Sequence, residues 1–489
     1  MNWLRQRSAL AVFVILALTA VALGAIPTQP ASAAATGQPA EEKWGVDRAL
    51  ELTPQPEPKP ALGYRLFPLA SDRKPGNAVP IYLRLAHERN DASRRILAET
   101  PRKWNKLPID QIPLDEARKF LKSWHTVLRQ LELGATRKQA EWNYTFDQGS
   151  VIDILLPDAQ TMRSYVPILI LKARVELAEG NFAGAAHWLQ TGLAFSQHAG
   201  SGPFLINRLV GIACANQCLE CVLDFMERPG APNLYWSLTA LPTPLIDLGT
   251  ALDFEYRVLE MEFSDLADLD RPRSAGEWDR VLRKVRTEFQ RLAGLDKSLK
   301  AMEGNGAADP AARSPDLPAA KKHLVETRKL SKAKVEAMPP AQVLLLHLVD
   351  TYSEFRDDFF KTANLPYQEA RRRFARAEDR LKAAPLSEAK QFAQLLPAIM
   401  KVRSAEMRLG RNIAVLRVIE ALRMHTAAHK GRLPDKLSEV TIVPVPDDPC
   451  TGRPFVYERA GNSATLISRF PGEKLDAAGV RYRLAIRNK

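Results

Sequence analysis

Three cysteines share a spacing that can bind a metal cluster. Cys214, Cys218 and Cys221 follow a C-x3-C-x2-C pattern, and three thiolates at this spacing can hold three irons of a 4Fe–4S cluster. A cluster loop of this kind follows the first strand of a parallel barrel, yet the sequence shows no alternation of strands and helices. Residues 205–226 have a helical pattern instead, which places the three thiols on one helix face. We therefore predict buried apolar thiols, with a metal site as the alternative.

Two histidines form a second candidate site. His425 and His429 lie four residues apart, as zinc ligands on one helix face do. No glutamate follows His425, so the metalloprotease arrangement is absent. We expect both histidines on the exposed, solvated side of the last helix. Cys450 lies in a Pro/Gly turn, and its disulfide state stays open.

Catalytic constellations are absent from the sequence. It contains no Gly-x-Ser-x-Gly turn and no phosphate-binding Gly-rich loop. The carboxylates over 253–270, such as Glu255 and Glu262, are predicted to form a solvated helix face. Calcium binding at Asp447 and Asp448 is a weak alternative. We predict no catalytic, cofactor or metal residue, and enzyme activity stays uncertain, with its absence favoured.

Composition limits the class of protein. The chain has 489 residues, a net charge of +13, 46% hydrophobic and 26% charged residues, and four cysteines. These values exclude a collagen, a wholly disordered chain, a multi-span membrane protein and a disulfide scaffold. The basic excess is regional, with net charges of +7 over 271–338 and +6 over 401–432. These two segments predict a basic surface for another envelope protein or an anionic envelope polymer.

The N-terminus has the pattern of an export signal. Arg5 and Arg7 precede an apolar run over 9–26, and small residues follow at 31–33, as in a signal peptide over 1–33. An uncleaved membrane anchor is the alternative, because the run approaches spanning length. We expect a periplasmic or extracellular protein that does not bind nucleic acid. The Pro-rich residues 34–75 predict a disordered tether.

The remaining chain predicts mainly α structure built of stacked helical hairpins. We assign a helical-hairpin domain to 76–303, a flexible linker to 304–320 and a second helical segment to 321–430. A small α/β module over 431–489 follows. One continuous helix is expected over 114–133, with a buried stripe listed in order as Ala117, Phe120, Leu121, Trp124, Leu128 and Leu131. A β-hairpin over 454–469 and a half-buried strand over 480–487 are expected in the module.

Three stretches resemble known proteins. Gly180-Asn181-Phe182, followed by Ala185, Leu189 and Gly192, resembles a tetratricopeptide unit, which implies a helix pair over 168–195. Residues 232–248 resemble a phrase of uncharacterised exported bacterial proteins, which implies no activity. The Leu433-Pro-Asp motif and the residues from Asp448-Pro449 to Tyr457 resemble the C-terminal part of type II secretion pseudopilins, which implies a small sheet packed on a long helix. The pseudopilin N-terminus is absent, and Pro471-Gly-Glu-Lys replaces its calcium loop.

These observations favour a binding function over a catalytic one. We expect an exported, non-catalytic binding or scaffolding protein of the cell envelope that uses its helical surfaces and basic face. One alternative is an envelope hydrolase with a site that no motif reveals. The other is a metal protein that uses the cysteine cluster.

Overall fold

A computed structural model describes residues 44–87, 90–144, 157–295, 314, 316–384, 396, 398–469 and 479–487. These residues are mostly helical, with 15 α-helices and a small mixed sheet of four strands, which confirms the mainly α class. The predicted signal peptide and residues 304–313 of the predicted linker lie outside the described residues.

The helices and strands are named in chain order. The helices are α1 Val79–His87, α2 Asp91–Asn105, α3 Leu114–Ser123, α4 His125–Ala135, α5 Pro157–Ala178, α6 Phe182–Ala199, α7 Leu205–Glu227, α8 Tyr235–Thr239, α9 Gly249–Glu262, α10 Ala275–Leu295, α11 Leu317–Glu326, α12 Lys332–Ala337, α13 Pro340–Ala363, α14 Tyr367–Ala383 and α15 Ala398–Ala428. The strands are β1 Val46–Leu52, β2 Lys74–Asn77, β3 Arg137–Gln139, β4 Val456–Ala460, β5 Ser463–Ser468 and β6 Val480–Ile486.

The described residues fall into two compact units. The larger unit takes them from 44–143, 157–248 and 404–487, and the smaller unit takes them from 144 and 249–403. In the smaller unit, α13 packs against α10, α11 and α14. The predicted domains are contiguous stretches of chain, whereas the larger unit is assembled from separated ones. One physical reason for this assembly from separated stretches is the sheet, because it joins strands from both ends of the described chain.

The sheet has the strand order β1-β6-β5-β4. Strands β4 and β5 form the predicted antiparallel hairpin, but two residues, Gly461 and Asn462, connect them instead of four. Strand β6 is antiparallel to β5 and parallel to β1. Its side chains alternate as predicted, with Val480, Tyr482, Leu484 and Ile486 buried.

The prediction of a disordered tether over 34–75 is wrong for its described part. Strand β1 pairs with β6 along its length, and Leu50 and Leu52 are buried. Arg48 of this strand forms ion pairs with Glu220, Asp224 and Glu227 of α7 at 2.9–3.1 Å. These carboxylates raise the pKa of Arg48, although its burial acts in the opposite direction. The prolines that suggested a tether begin only after the strand ends.

The helix predicted over 114–133 is two helices. Trp124 separates α3 from α4 with non-helical torsions, φ −106° and ψ 16°. No proline or glycine marks this break in the sequence. The side chain of Trp124 packs beside Phe120, and Phe120 contacts Trp104 of α2 edge-on at 5.5 Å. The break therefore accompanies an aromatic cluster that only the tertiary structure assembles.

The predicted helix pair around residue 180 is present as α5 and α6. Gly180 adopts φ +73° in the connecting turn, a conformation that favours glycine. Asn181 caps α6 by accepting the Gly184 N–H at 3.0 Å. Helix α7 packs on both helices of this pair. Among the described residues, α7 also has the length and apolarity of a membrane-crossing helix, and 72% of its most apolar window is buried inside the protein, as in a core helix.

A fully buried ion pair binds the backbone of Leu234, within the stretch over 232–248. Glu420 and Arg423 of α15 have no exposed side-chain surface and lie 2.9 Å apart. Glu420 accepts the Leu234 N–H, and Arg423 donates to the Ala231 carbonyl. Arg423 also donates to the Thr53 carbonyl at 3.2 Å. One charge pair thus joins three separated segments of the larger unit.

Candidate functional site

A groove in the larger unit is the candidate functional site. It encloses about 580 Å³ between α3, α4, α5 and α6. Its lining combines five basic side chains, two carboxylates, three aliphatic side chains and one tryptophan. They are Arg118, Leu121, Lys122, His125, Leu128, Arg129, Glu132, Lys172, Val175, Glu179 and Trp188.

Helix periodicity places the basic side chains. Arg118 and Lys122 lie four residues apart on α3, and His125 and Arg129 lie four residues apart on α4, so each pair shares one face of its helix. The two pairs together are called the basic stripe. The neighbouring buried stripe, which includes Leu121 and Leu128, fixes α3 and α4 against the core. The same apolar side chains form the floor of the groove. The core packing therefore determines which way the basic stripe faces.

Ion pairs occupy both carboxylates of the groove. Arg118 binds Glu179 at 2.6 Å, and His187 binds Glu132 at 2.7 Å. Lys172 is paired with Glu176 of its own helix. The four Lys and Arg residues that line the groove exceed its two carboxylates by a charge of +2.

Two cations of the groove have no ion pair within the described part of the chain. Lys122 and Arg129 are both exposed, and neither lies within 4 Å of a described carboxylate, whereas Arg118 and Lys172 do. An exposed cation beside apolar surface is a favourable site for an anion, because the apolar walls exclude part of the competing water. Lys122 and Arg129 therefore provide the groove's available positive charge.

Trp188 lies on the α6 side of the groove. It is half-buried, and His187 contacts its ring edge-on at 5.4 Å. Its indole N–H has no hydrogen-bond partner among the described residues, so the side chain offers an apolar face and an available donor. The groove thus combines cations with an aromatic surface, an arrangement that suits binding of an anion with an apolar or ring-shaped part.

The cysteine cluster does not form a site. Cys214, Cys218 and Cys221 are at most 1% exposed, and all four cysteines are free. Burial raises the pKa of Cys218 to about 12 and also raises the pKa values of Cys214 and Cys221, so it favours the protonated thiols. Cys218 packs against Gly192, where a Cβ atom would lie 2.8 Å from the sulfur. The thiols therefore fill the contact between α6 and α7.

The expectation that His425 is exposed is wrong. Its side chain is 6% exposed and stacks on His429 with ring centroids 3.9 Å apart. Burial lowers the pKa of His425, and the neighbouring His429 acts in the same direction. The reason is that α15 is packed within the larger unit and buries most of its length. Among the described residues, no group of three His, Cys, Asp or Glu side chains is placed to bind a metal.

The basic segment over 401–432 does not form a continuous surface. Arg411 and Arg423 are buried, and three further arginines of this segment, at 403, 408 and 417, are half-buried. The exposed cations lie at its ends, at 401, 430 and 432. Arg411 and Arg423 thus interrupt the basic face along this helix, and binding of a partner by this segment stays a prediction. In segment 271–338, by contrast, Arg283 and Lys332 are exposed, and a role for this segment stays a prediction.

Two further motifs have structural roles. Asp448 is buried, accepting the Cys450 N–H at 2.9 Å and the Ser468 hydroxyl at 2.8 Å, so its carboxylate holds a turn. Ser331 and Lys334 have the spacing of a Ser-x-x-Lys motif. The Ser331 hydroxyl accepts the Lys334 N–H and caps α12.

Comparison with protein-family models, curated proteins and solved structures finds no match. No sequence pattern predicted the groove as a whole, although the basic stripe from Arg118 to Arg129 indicates one of its walls. The opposite wall, with Lys172 and Trp188, lies more than forty residues further along the chain. No periodicity in the sequence indicates that it faces that stripe.

Proposed function

We propose that this protein is exported and acts in the cell envelope as a non-catalytic binding or scaffolding protein whose groove holds an anionic ligand. The observation that carries the proposal is the pair of exposed cations without ion pairs, Lys122 and Arg129, over an apolar floor. The sequence pattern of 1–33 supports export. The partner we propose is an anionic component of the envelope, bound at the groove rather than along 401–432.

A binding role suits the chemistry of the groove better than catalysis. Its carboxylates, Glu132 and Glu179, each contact a basic side chain. A hydrolase with two carboxylates needs both to face one point, with one of them kept protonated. This arrangement supports electrostatic recognition and gives the hydrolase alternative no particular support.

The metal alternative has less support. Metal binding by cysteine requires thiolates, and burial raises the pKa of the three clustered thiols. On the side of Gly192, the Cys218 sulfur is packed closely against the neighbouring helix.

Fluorescence titration with anilinonaphthalene sulfonate tests the proposal, because this probe combines an aromatic part with one anionic group. We expect saturable binding to the purified chain. The Lys122→Ala/Arg129→Ala variant should bind about two- to fivefold more weakly, since the single anionic group of the probe loses one partly screened ion contact, which contributes about 0.5–1 kcal/mol.

The matched control is Lys332→Ala/Arg283→Ala, which removes the same charge from exposed positions outside the groove. It should bind the probe like the unmodified chain. Absence of saturable binding, or equal weakening in both variants, would contradict the proposed function.

A further inference from the structure

The shape and charge of the groove narrow the class of its ligand. We infer that the ligand is a segment of an acidic glycan, several sugar units long, with acid groups at Lys122 and Arg129 and one sugar ring against Trp188. This inference rests on the proposed function and specifies the ligand of the same groove.

The separation of the available cations favours a ligand with repeated charges. Lys122 lies on α3 and Arg129 on α4, so the break at Trp124 separates the two exposed cations. A single small anion that drew both side chains together would have to overcome their mutual repulsion. A chain with acid groups at intervals can bind each cation where it lies.

The carboxylates of the groove exclude a densely charged polymer. Glu132 and Glu179 line the same surface and leave a net charge of only +2. A polyphosphate or a nucleic acid presents closely spaced phosphates with few free hydroxyls between them, so some of its charges would face these carboxylates. Sugar hydroxyls, in contrast, can donate hydrogen bonds to carboxylate oxygens. A polymer whose acid groups are separated by sugar rings with free hydroxyls therefore matches the whole lining.

Trp188 supplies a surface for the sugar itself. One face of a sugar ring presents C–H groups that pack on a flat aromatic side chain, and its hydroxyls can accept a hydrogen bond from an indole N–H. Trp188 is half-buried at the groove, and its N–H has no partner among the described residues. Because it lies on α6, across from the cations of α3 and α4, ring and acid groups of one ligand can be bound together.

Isothermal titration of the full chain with oligogalacturonate tests the inference. Galacturonic acid, a neutral maltooligosaccharide of equal length and a short polyphosphate serve as comparison ligands. We expect the oligogalacturonate to bind at least tenfold more tightly than each of the three. The Lys122→Ala/Arg129→Ala and Trp188→Ala variants should each bind it at least fivefold more weakly, and Trp188→Phe should retain most of the affinity.

The control variant Lys332→Ala/Arg283→Ala should bind the oligogalacturonate like the unmodified chain. Equal affinity for the monomer, tighter binding of polyphosphate, or no effect of Trp188→Ala would overturn the glycan assignment. If the naphthalene probe binds in the groove while the oligogalacturonate does not, the glycan assignment fails and the proposed function stands. If neither binds, both fail.

Discussion

Replacing Glu420 by glutamine removes one charge from a fully buried ion pair. Glu420 and Arg423 both have 0% exposed side-chain surface. The two nitrogen–oxygen contacts between them are 2.9 and 3.1 Å long. The substitution nearly preserves shape and an acceptor for the Leu234 N–H, 3.0 Å away in the native protein. The lost interaction is therefore mainly the charge that compensates Arg423.

The expected cost follows from the burial of Arg423. Breaking a buried pair by removing one partner destabilises a protein by about 3–5 kcal/mol, because the remaining charge stays buried without compensation. A typical domain has a free energy of unfolding of about 5–15 kcal/mol, so this single change should remove a large part of that stability. In the Glu420→Leu/Arg423→Met variant, both charges are absent. This double variant should lose less than the sum of the two single substitutions.

The double variant should still be less stable than the native protein. Arg423 donates to the carbonyls of Thr53 and Ala231, and these acceptors lose their partner. Each buried polar group left without a hydrogen bond costs about 1–3 kcal/mol. The Leu234 N–H loses its acceptor as well, so both Glu420→Gln and the double variant should be less stable than the native chain.

Urea unfolding with a thiol reagent as the reporter provides the assay. The cysteines of α7 belong to the larger unit, as the ion pair does, and they are buried, so their labelling reports the unfolding of this unit. Asp115→Asn is the control, because Asp115 pairs with Arg118 at an exposed site, with 87% of its own side chain exposed. The control should lose less than about 1 kcal/mol. If Glu420→Gln loses no more than the control, the account of the buried pair is refuted.

Two further predictions concern the core of the larger unit. Burial, with a smaller effect from Arg73, lowers the pKa of His198 from its ordinary value of about 6.5 to about 4, so the folded state favours the neutral ring. The stability that the neutral His198 ring contributes is fully present above pH 6.5. About 3 kcal/mol of it is lost as the pH falls towards 4. The stability difference between the native chain and His198→Gln should therefore shrink over that range, and a constant difference contradicts the assignment. Gly134→Ala would place a Cβ atom 2.2 Å from the Tyr82 ring and should cost about 1–3 kcal/mol in urea unfolding. Gly410→Ala, which belongs to the same unit and meets no atom within 4 Å, is the control and should not destabilise, so an equal loss in both variants would argue against a steric cause.

Local patterns predicted several elements well. The Glu-Gly-Asn turn separates α5 from α6, because glycine tolerates the positive φ at residue 180 and asparagine caps the following helix. The alternation over 480–487 predicted β6 with one buried face, since successive side chains of a strand point to opposite sides. These features depend on neighbouring residues, so the sequence contains the information directly.

The charged residues on α15 led to a wrong prediction of which side chains are exposed. A helix with several arginines is usually solvated, because burying a charge without a partner is costly. Arg423 is buried because Glu420 and two backbone carbonyls satisfy it. Of these four groups, only Glu420 and Arg423 are close in sequence, and the pair alone does not indicate burial.

The sequence by itself determined the mainly helical class, the turn at Gly180, the β4–β5 hairpin and the basic stripe from Arg118 to Arg129, because each depends on spacings within one or two elements. Only the tertiary structure decided that β1 pairs with β6, that Arg423 is buried, and that Lys172 and Trp188 face the basic stripe to form a groove. Each of these outcomes joins residues far apart in the chain, and each depends on which partners satisfy a charge or an apolar surface. Such partners are chosen by the packing of the whole unit, so no local pattern reveals them.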